Sequence, residues 1–169
     1  MLELEAKIID VDPAQVGAKL EKLGALKAWT RELETRFFKN ADGSAGLRVR
    51  REGDAWVLNA KVRTDDGKGL AKSAHEYETA VADPEALGKI LGVAGFTEVK
   101  RLTKRRTRYD LGDAHFEIDE YRGLPPLLEI EAPSQESLVA AAASLGYAES
   151  DLKAWNLTQL EAHYGRKAQ

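Results

Sequence analysis

The sequence places acidic side chains two residues apart at three points: Glu3-Leu4-Glu5, Glu76-Tyr77-Glu78 and Glu129-Ile130-Glu131. Glu117 and Asp119 repeat the spacing. Basic side chains do the same at Arg48 and Arg50, Lys61 and Arg63, and Lys104, Arg106 and Arg108, while Lys7 follows Glu5. Carboxylates held close together repel unless a cation lies between them. Hard divalent cations prefer carboxylate oxygens, and Arg and Lys neutralise phosphate oxygens, Arg in a bidentate manner. A polyphosphate carrying Mg²⁺ or Mn²⁺ has both signs and satisfies both sets. At an effective dielectric near 20, a close charge pair is worth about 4 kcal/mol before desolvation, so several bases can hold a ligand of about four negative charges where one cannot.

A spacing of two is the strand period, which puts such residues on one face. The neighbours are apolar: Leu4 and Ala6, Leu47 and Val49, Phe116 and Ile118, Leu128 and Ile130. Any one such stripe is ordinarily the solvated face of a sheet. Repetition along the chain points instead to charged faces that converge, provided helices cover the apolar faces and the sheet curls into a barrel. Unpaired buried charges cost several kcal/mol each. The lumen is therefore expected to be wet, with acids and bases awaiting a ligand of both signs.

The elements that must do this are legible in order. Strands are expected over residues 2–10, 26–39, 47–52, 55–63, 71–82, 97–111, 114–122 and 127–132. Asp12-Pro13 and Asp83-Pro84 each pair an N-cap with proline at the first helical position. Ser134 caps an alanine-rich helix, and residues 154–164 are expected to form the last one. Residues 64–70 read as a polar loop. Most strand neighbours are hairpin-linked, so the α+β fold should have a largely antiparallel sheet. No linker divides residues 1–169, which suggests a single domain.

Composition excludes several classes. The 169 residues carry a net charge of -3, so no bulk basic field invites nucleic acid. Six bases fall within residues 100–108, but alternation divides them between two faces. There is no cysteine, and His75, His115 and His163 lack zinc spacing. No apolar run approaches about 18 residues, so a cytoplasmic protein with no membrane partner is expected. Trp29, Trp56 and Trp155 read as packing residues.

The ordered set resembles the CYTH superfamily, the triphosphate tunnel metalloenzymes. The pieces are Glu3-Leu4-Glu5-Ala6-Lys7, Leu47-Arg48-Val49-Arg50, the strand ending in Lys61, His75-Glu76-Tyr77-Glu78, Lys104-Arg105-Arg106, Ile118-Asp119-Glu120 and Leu128-Glu129-Ile130-Glu131. In the second strand, Glu34-Thr35-Arg36-Phe37 stands where many cyclase-like relatives resemble Asp-Thr-Tyr-Phe. The resemblance implies an eight-stranded antiparallel β-barrel, the triphosphate tunnel, with helices outside. It implies Glu3, Glu5, Glu129 and Glu131 as metal ligands for Mg²⁺ or Mn²⁺. Lys7, Arg48, Arg50, Lys61, Lys104, Arg106 and Arg108 would hold phosphate. Asp119 and one of Glu76 or Glu78 would assist or orient water.

The expected chemistry is hydrolysis of tripolyphosphate, ATP or thiamine triphosphate. Two alternatives stand beside it: cyclisation of ATP to cyclic AMP and pyrophosphate, and non-catalytic binding of a polyphosphate or nucleotide. Either a monomer or a homodimer accommodates these readings.

Overall fold

The computed structural model describes residues 3–63 and 71–169, with the side chains of residues 3, 63 and 72–74 outside that description. The expected metal-ligand role of Glu3, the side chain of Arg63, and the loop expected over residues 64–70 therefore lie outside the described residues. The strands are β1 (Glu3–Ile9), β2 (Leu26–Asn40), β3 (Gly46–Glu52), β4 (Ala55–Arg63), β5 (Lys72–Val81), β6 (Phe96–Leu111), β7 (Ala114–Tyr121) and β8 (Leu127–Ala132). The helices are α1 (Pro13–Lys22), α2 (Pro84–Val93), α3 (Gln135–Ser144) and α4 (Leu157–Tyr164).

The strands pair in the order β1-β5-β4-β3-β2-β6-β7-β8, and β8 returns to β1. Every pairing is antiparallel. Among the described residues, the seam between β1 and β5 runs from Glu3↔Ala74 to Glu5↔Lys72. The longest pairing joins β2 to β6, with irregularities at Lys27/Trp29 and Phe37/Phe38. Such breaks in register bend a strand and raise its twist, which a closing sheet needs.

Closure decides which face turns inward. Ala6 and Ile8 of β1, Phe116 and Ile118 of β7, and Leu128 and Ile130 of β8 pack outward with Val16 and Leu20 of α1 and Leu138 and Ala142 of α3. On the other side, Leu87 and Leu91 of α2 cover Phe38, Val49, Trp56 and Leu58. Burying this apolar surface supplies about 25 cal/mol per Å². The opposite parity, which carries the charges, is left to face the lumen. Beneath α2, the outward-facing Arg36 is buried and bonds Glu98 at 2.8 Å and Glu85 at 2.9 Å.

The two Asp-Pro starts form as expected. The Asp12 carboxylate accepts from the Ala14 and Gln15 amides at 2.9 and 3.0 Å, and Asp83 accepts from Glu85 and Ala86 in the same way. The last helix departs from expectation, because it starts at Leu157 rather than Ala154. Asn156 accepts from the Gln159 amide at 2.9 Å, and the Gln159 side chain returns to the Asn156 amide at 2.8 Å. That reciprocal cap sets the start. Upstream, the Lys153 amide and carbonyl are both bonded to the Lys7 backbone, which keeps the segment out of the helix.

α4 and the residues after it cover one end of the barrel. Leu157 and Tyr164 pack with Leu102, Leu124 and Ala168. Lys100 of β6 forms an ion pair with Glu161 of α4. The Gln169 amide donates to the Arg122 carbonyl at 3.0 Å. Gly123, in the turn from β7 to β8, has φ +90°, and a Cβ there would lie 2.8 Å from the Lys167 carbonyl oxygen. Gly123→Ala is expected to lose roughly 1–3 kcal/mol of stability in urea unfolding, from a strained φ and a backbone clash. Gly112→Ala, at φ +57° with open space around it, should lose less. Equal losses at the two positions would remove the contact with the tail as the cause.

Candidate functional site

The inward parity encloses a cavity of about 350 Å³. Its wall carries Glu5 and Lys7 from β1, Arg48 and Arg50 from β3, Lys61 from β4, Glu76 and Glu78 from β5, Lys104, Arg106 and Arg108 from β6, and Glu129 and Glu131 from β8. Residues that lie up to about 126 positions apart in sequence are brought together by ladder register: Lys7↔Glu129, Glu5↔Glu131, Lys61↔Glu76 and Arg106↔Asp119 are directly opposed.

One expectation about the lumen is corrected. Most of its acids and bases do not wait unpaired for a ligand; they neutralise each other. Lys7 Nζ lies 2.5 Å from Glu129 and 3.4 Å from Glu5. Lys61 pairs with Glu76 and lies 3.4 Å from Glu5. Arg50 donates to Glu52 at 2.5 Å, and Arg108 donates to Asp110 at 2.9 Å. The penalty for burying a lone charge requires this pairing.

Asp119 is completely buried and lies behind the wall rather than on it. Arg106 grips it with two bonds of 2.6 Å, and Lys104 donates to it at 2.6 Å. Burial raises its pKa, but Arg106 and Lys104 outweigh burial and hold the carboxyl below its ordinary value. Burial likewise pulls Arg106 down, and Asp119, Glu117 and Glu129 more than reverse it. Lys7 is raised in the same sense, with Glu129 and Glu5 overcoming burial.

The carboxylates of Glu5, Glu129 and Glu131 form a cluster in which one oxygen of each lies within 4.8 Å of the others. Burial, then Glu117 and Glu129, pushes the Glu131 carboxyl up to about 8. Glu129 goes the other way: burial is outweighed by Lys7 and Arg106, and its carboxyl stays well below the ordinary range. Three convergent carboxylate oxygens, one of them raised toward protonation by its neighbours, suit a hard divalent cation. The residues present therefore fit a metal ion.

Sequence reasoning left several wall residues without a role. Glu117 shares the parity of Asp119, pairs with Arg106 and faces the cavity; that alternation was the signal. Phe37, Tyr121, Asn156 and Leu157 also reach the wall. Asn59, on the parity of Lys61, is buried and bonds both Glu76 and Glu78. Nothing in its local sequence marked it. In the second strand, Thr35 is buried and Phe37 lines the cavity. Arg101 and Arg105, in the basic run, pair outside it with Glu98 and Glu120.

A closed antiparallel barrel with acids and bases ranked along its inner wall defines a charged-tunnel class. The chain belongs to the CYTH domain family, whose profile matches residues 1–146. It is similar to the PH1012 protein of Pyrococcus horikoshii OT3, at 25% identity and TM-score 0.82, covering 94% of this chain and 98% of that one. It also shares its fold with a Vibrio parahaemolyticus protein described as a candidate adenylate cyclase, at 14% identity and TM-score 0.80, over 96% and 98% of the two chains. HpAC1 from Hippeastrum, a candidate adenylyl cyclase described as having a dominant triphosphatase activity, matches at 16% identity and TM-score 0.63, over 99% and 97%. No curated protein matches the chain. Among the described residues, no helix is long and apolar enough to cross a membrane.

The raised Glu131 carboxyl has a consequence for stability. Between the ordinary 4.5 and about 8, the folded protein holds a proton that the unfolded chain has released. Its contribution is present at low pH and is lost as pH rises through that window. Thermal melts in chelator should show wild type losing stability toward pH 8 relative to Glu131→Gln. Added Mg²⁺ should restore wild type most at the alkaline end, where no proton competes. A difference between the two proteins that is constant from pH 5 to 8.5 would refute the assignment.

Proposed function

We propose that this protein is a divalent-cation-dependent phosphohydrolase that removes the terminal phosphate of a triphosphate held in the barrel. One observation carries the reading: a carboxylate cluster of Glu5, Glu129 and Glu131 shares one cavity with seven Lys and Arg side chains. A module that only bound polyphosphate would need the bases and would be hindered by the acids. A module that only bound a cation would need the acids alone.

Mg²⁺ or Mn²⁺, held by Glu5, Glu129 and Glu131 with Glu3 as the fourth ligand implied by the family pattern, would supply charge neutralisation at the phosphate oxygens. Lys7, Arg48, Arg50, Lys61, Lys104, Arg106 and Arg108 bind and align the chain of phosphates. As the ligand enters, Lys7 and Arg106 exchange carboxylate partners for phosphate oxygens, so each cation stays paired in both states. Asp119 acts from behind the wall, setting where Lys104 and Arg106 point. One of Glu76 and Glu78, both on the β5 side of the cavity, orients water. Attack by water forms one P–O bond at the terminal phosphorus and breaks the anhydride P–O bond, releasing orthophosphate, while the proton of water passes to a carboxylate. Catalysis of this kind rests on positioning and electrostatics rather than on a covalent intermediate.

Hydrolysis needs only a placed water, and the HpAC1 fold carries such an activity. A second reading, cyclisation of ATP, draws on Phe37, Tyr121 and Leu157, apolar groups on the wall against which an organic substituent can rest. Separate detection of phosphate, pyrophosphate and cyclic AMP, with tripolyphosphate, ATP and thiamine triphosphate as substrates, decides between them. Phosphate release dependent on Mg²⁺ or Mn²⁺ is expected. Glu5→Gln should reduce it at least about 100-fold, since it removes a charged metal ligand, and should leave the fold intact by circular dichroism. Background release from every substrate with either metal would refute the enzyme reading. Unchanged turnover in Glu5→Gln would remove Glu5 from the site.

A further inference from the structure

We propose that Asn59 is a positioning residue that aims the Glu78 carboxylate at the attacking water, which makes Glu78 rather than Glu76 the working carboxylate of β5. This inference rests on the hydrolase reading above. Asn59 is 2% exposed, in the middle of β4, behind the cavity wall. Its amide nitrogen donates to Glu76 Oε2 at 2.7 Å and to Glu78 Oε1 at 2.8 Å. Both hydrogens of one amide are thus spent on two carboxylates two residues apart on the neighbouring strand. An amide has only two such hydrogens, so its orientation is set by the pair it serves.

The two glutamates are not equivalent. Glu76 Oε1 pairs with Lys61, its Oε2 takes the Asn59 bond, and Arg48 lies 3.9 Å from the same oxygen. With both oxygens engaged by donors, Glu76 serves to hold Lys61 and Arg48 in place. Glu78 is bound by Asn59 through Oε1, and its side chain lines the cavity. Two carboxylates on adjacent inward positions would splay apart by repulsion. The shared amide opposes that tendency and ties Glu78 Oε1 to β4, which favours the fixed hydrogen-bond geometry that a water-orienting group requires. Among the described residues, no other side-chain amide joins two wall carboxylates.

The test is steady-state hydrolysis of tripolyphosphate with saturating Mg²⁺ by wild type, Asn59→Ala, Asn59→Ser, Glu76→Gln, Glu78→Gln and the double variant Asn59→Ala/Glu78→Gln, with melting temperatures measured alongside. Loss of an outer-sphere orienting partner lowers activity by about 10- to 100-fold. Asn59→Ala should lose that much in kcat with KM within about threefold of wild type. Asn59→Ser, which keeps one donor, should recover part of the loss. The double variant should have a kcat no lower than that of Glu78→Gln alone, because the amide acts on turnover through that carboxylate, while its bond to Glu76 bears on KM. Glu76→Gln should act chiefly on KM.

If wild type is active and Asn59→Ala keeps its kcat, or the two losses multiply in the double variant, the inference falls and the hydrolase reading stands. If Asn59→Ala does not fold, the double variant Asn59→Ser/Glu78→Gln is made in its place and decides in the same way: a kcat loss from Asn59→Ser that persists when Glu78 is already Gln overturns the inference. If wild type hydrolyses no triphosphate, the hydrolase reading fails and this inference fails with it.

Discussion

A charge inside a barrel must be neutralised, and this constraint governs the rest of the structure. Asp119 shows it most plainly: it has no exposed surface and is bound by Arg106 and Lys104 through three bonds of 2.6 Å. Removing one partner of such a cluster leaves an uncompensated buried charge, which costs about 3–5 kcal/mol. The bases fixed by Asp119 in turn meet Glu117 and Glu129, and Glu129 meets Lys7. Much of the wall, from Lys61 through Glu5, Lys7 and Glu129 to Arg106 and Glu117, is one connected set of charges rather than a collection of separate ion pairs. A ligand carrying phosphate and a divalent cation can enter it by exchange, because it offers each member of a pair a new partner of the right sign.

Apolar packing on the outside makes that interior possible. α1 and α3 cover the outward parity of β1, β7 and β8, and α2 covers that of β2, β3 and β4. Without those helices, the outward Leu, Ile, Val and Phe side chains would be the better candidates for the lumen. The covering helix can also demand charge of its own, as at Arg36, which reaches beneath α2 toward Glu85 and Glu98. A Cβ on Gly88 would lie 2.9 Å from the Arg36 guanidinium, so a helix position with no side chain makes room for it.

Much of the fold was legible because its signals are local. A period of two marks a strand, Asp-Pro marks a helix start, and a glycine between two alternating runs marks a hairpin. The last helix was misread at its first residue because its start depends on Asn156 and Gln159 acting together and on Lys153 being bonded to the distant Lys7. The site was legible in the same unequal way. Parity alone put Lys7, Arg48, Lys61, Arg106, Glu129 and their companions on one face, but it could not distinguish a wall residue from one behind it, as Asp119 and Asn59 show.

The sequence by itself determined which residue types alternate along each strand, and so which charges would travel together to one side of the sheet. The tertiary structure alone decided that this side is the inside, which acid meets which base, and which three carboxylates converge. The physical reason is that alternation is set by backbone geometry within a few residues, whereas partnership is set by ladder register across strands. Glu5 and Glu131 become neighbours only because β8 closes back onto β1, a contact between residues at opposite ends of the matched domain.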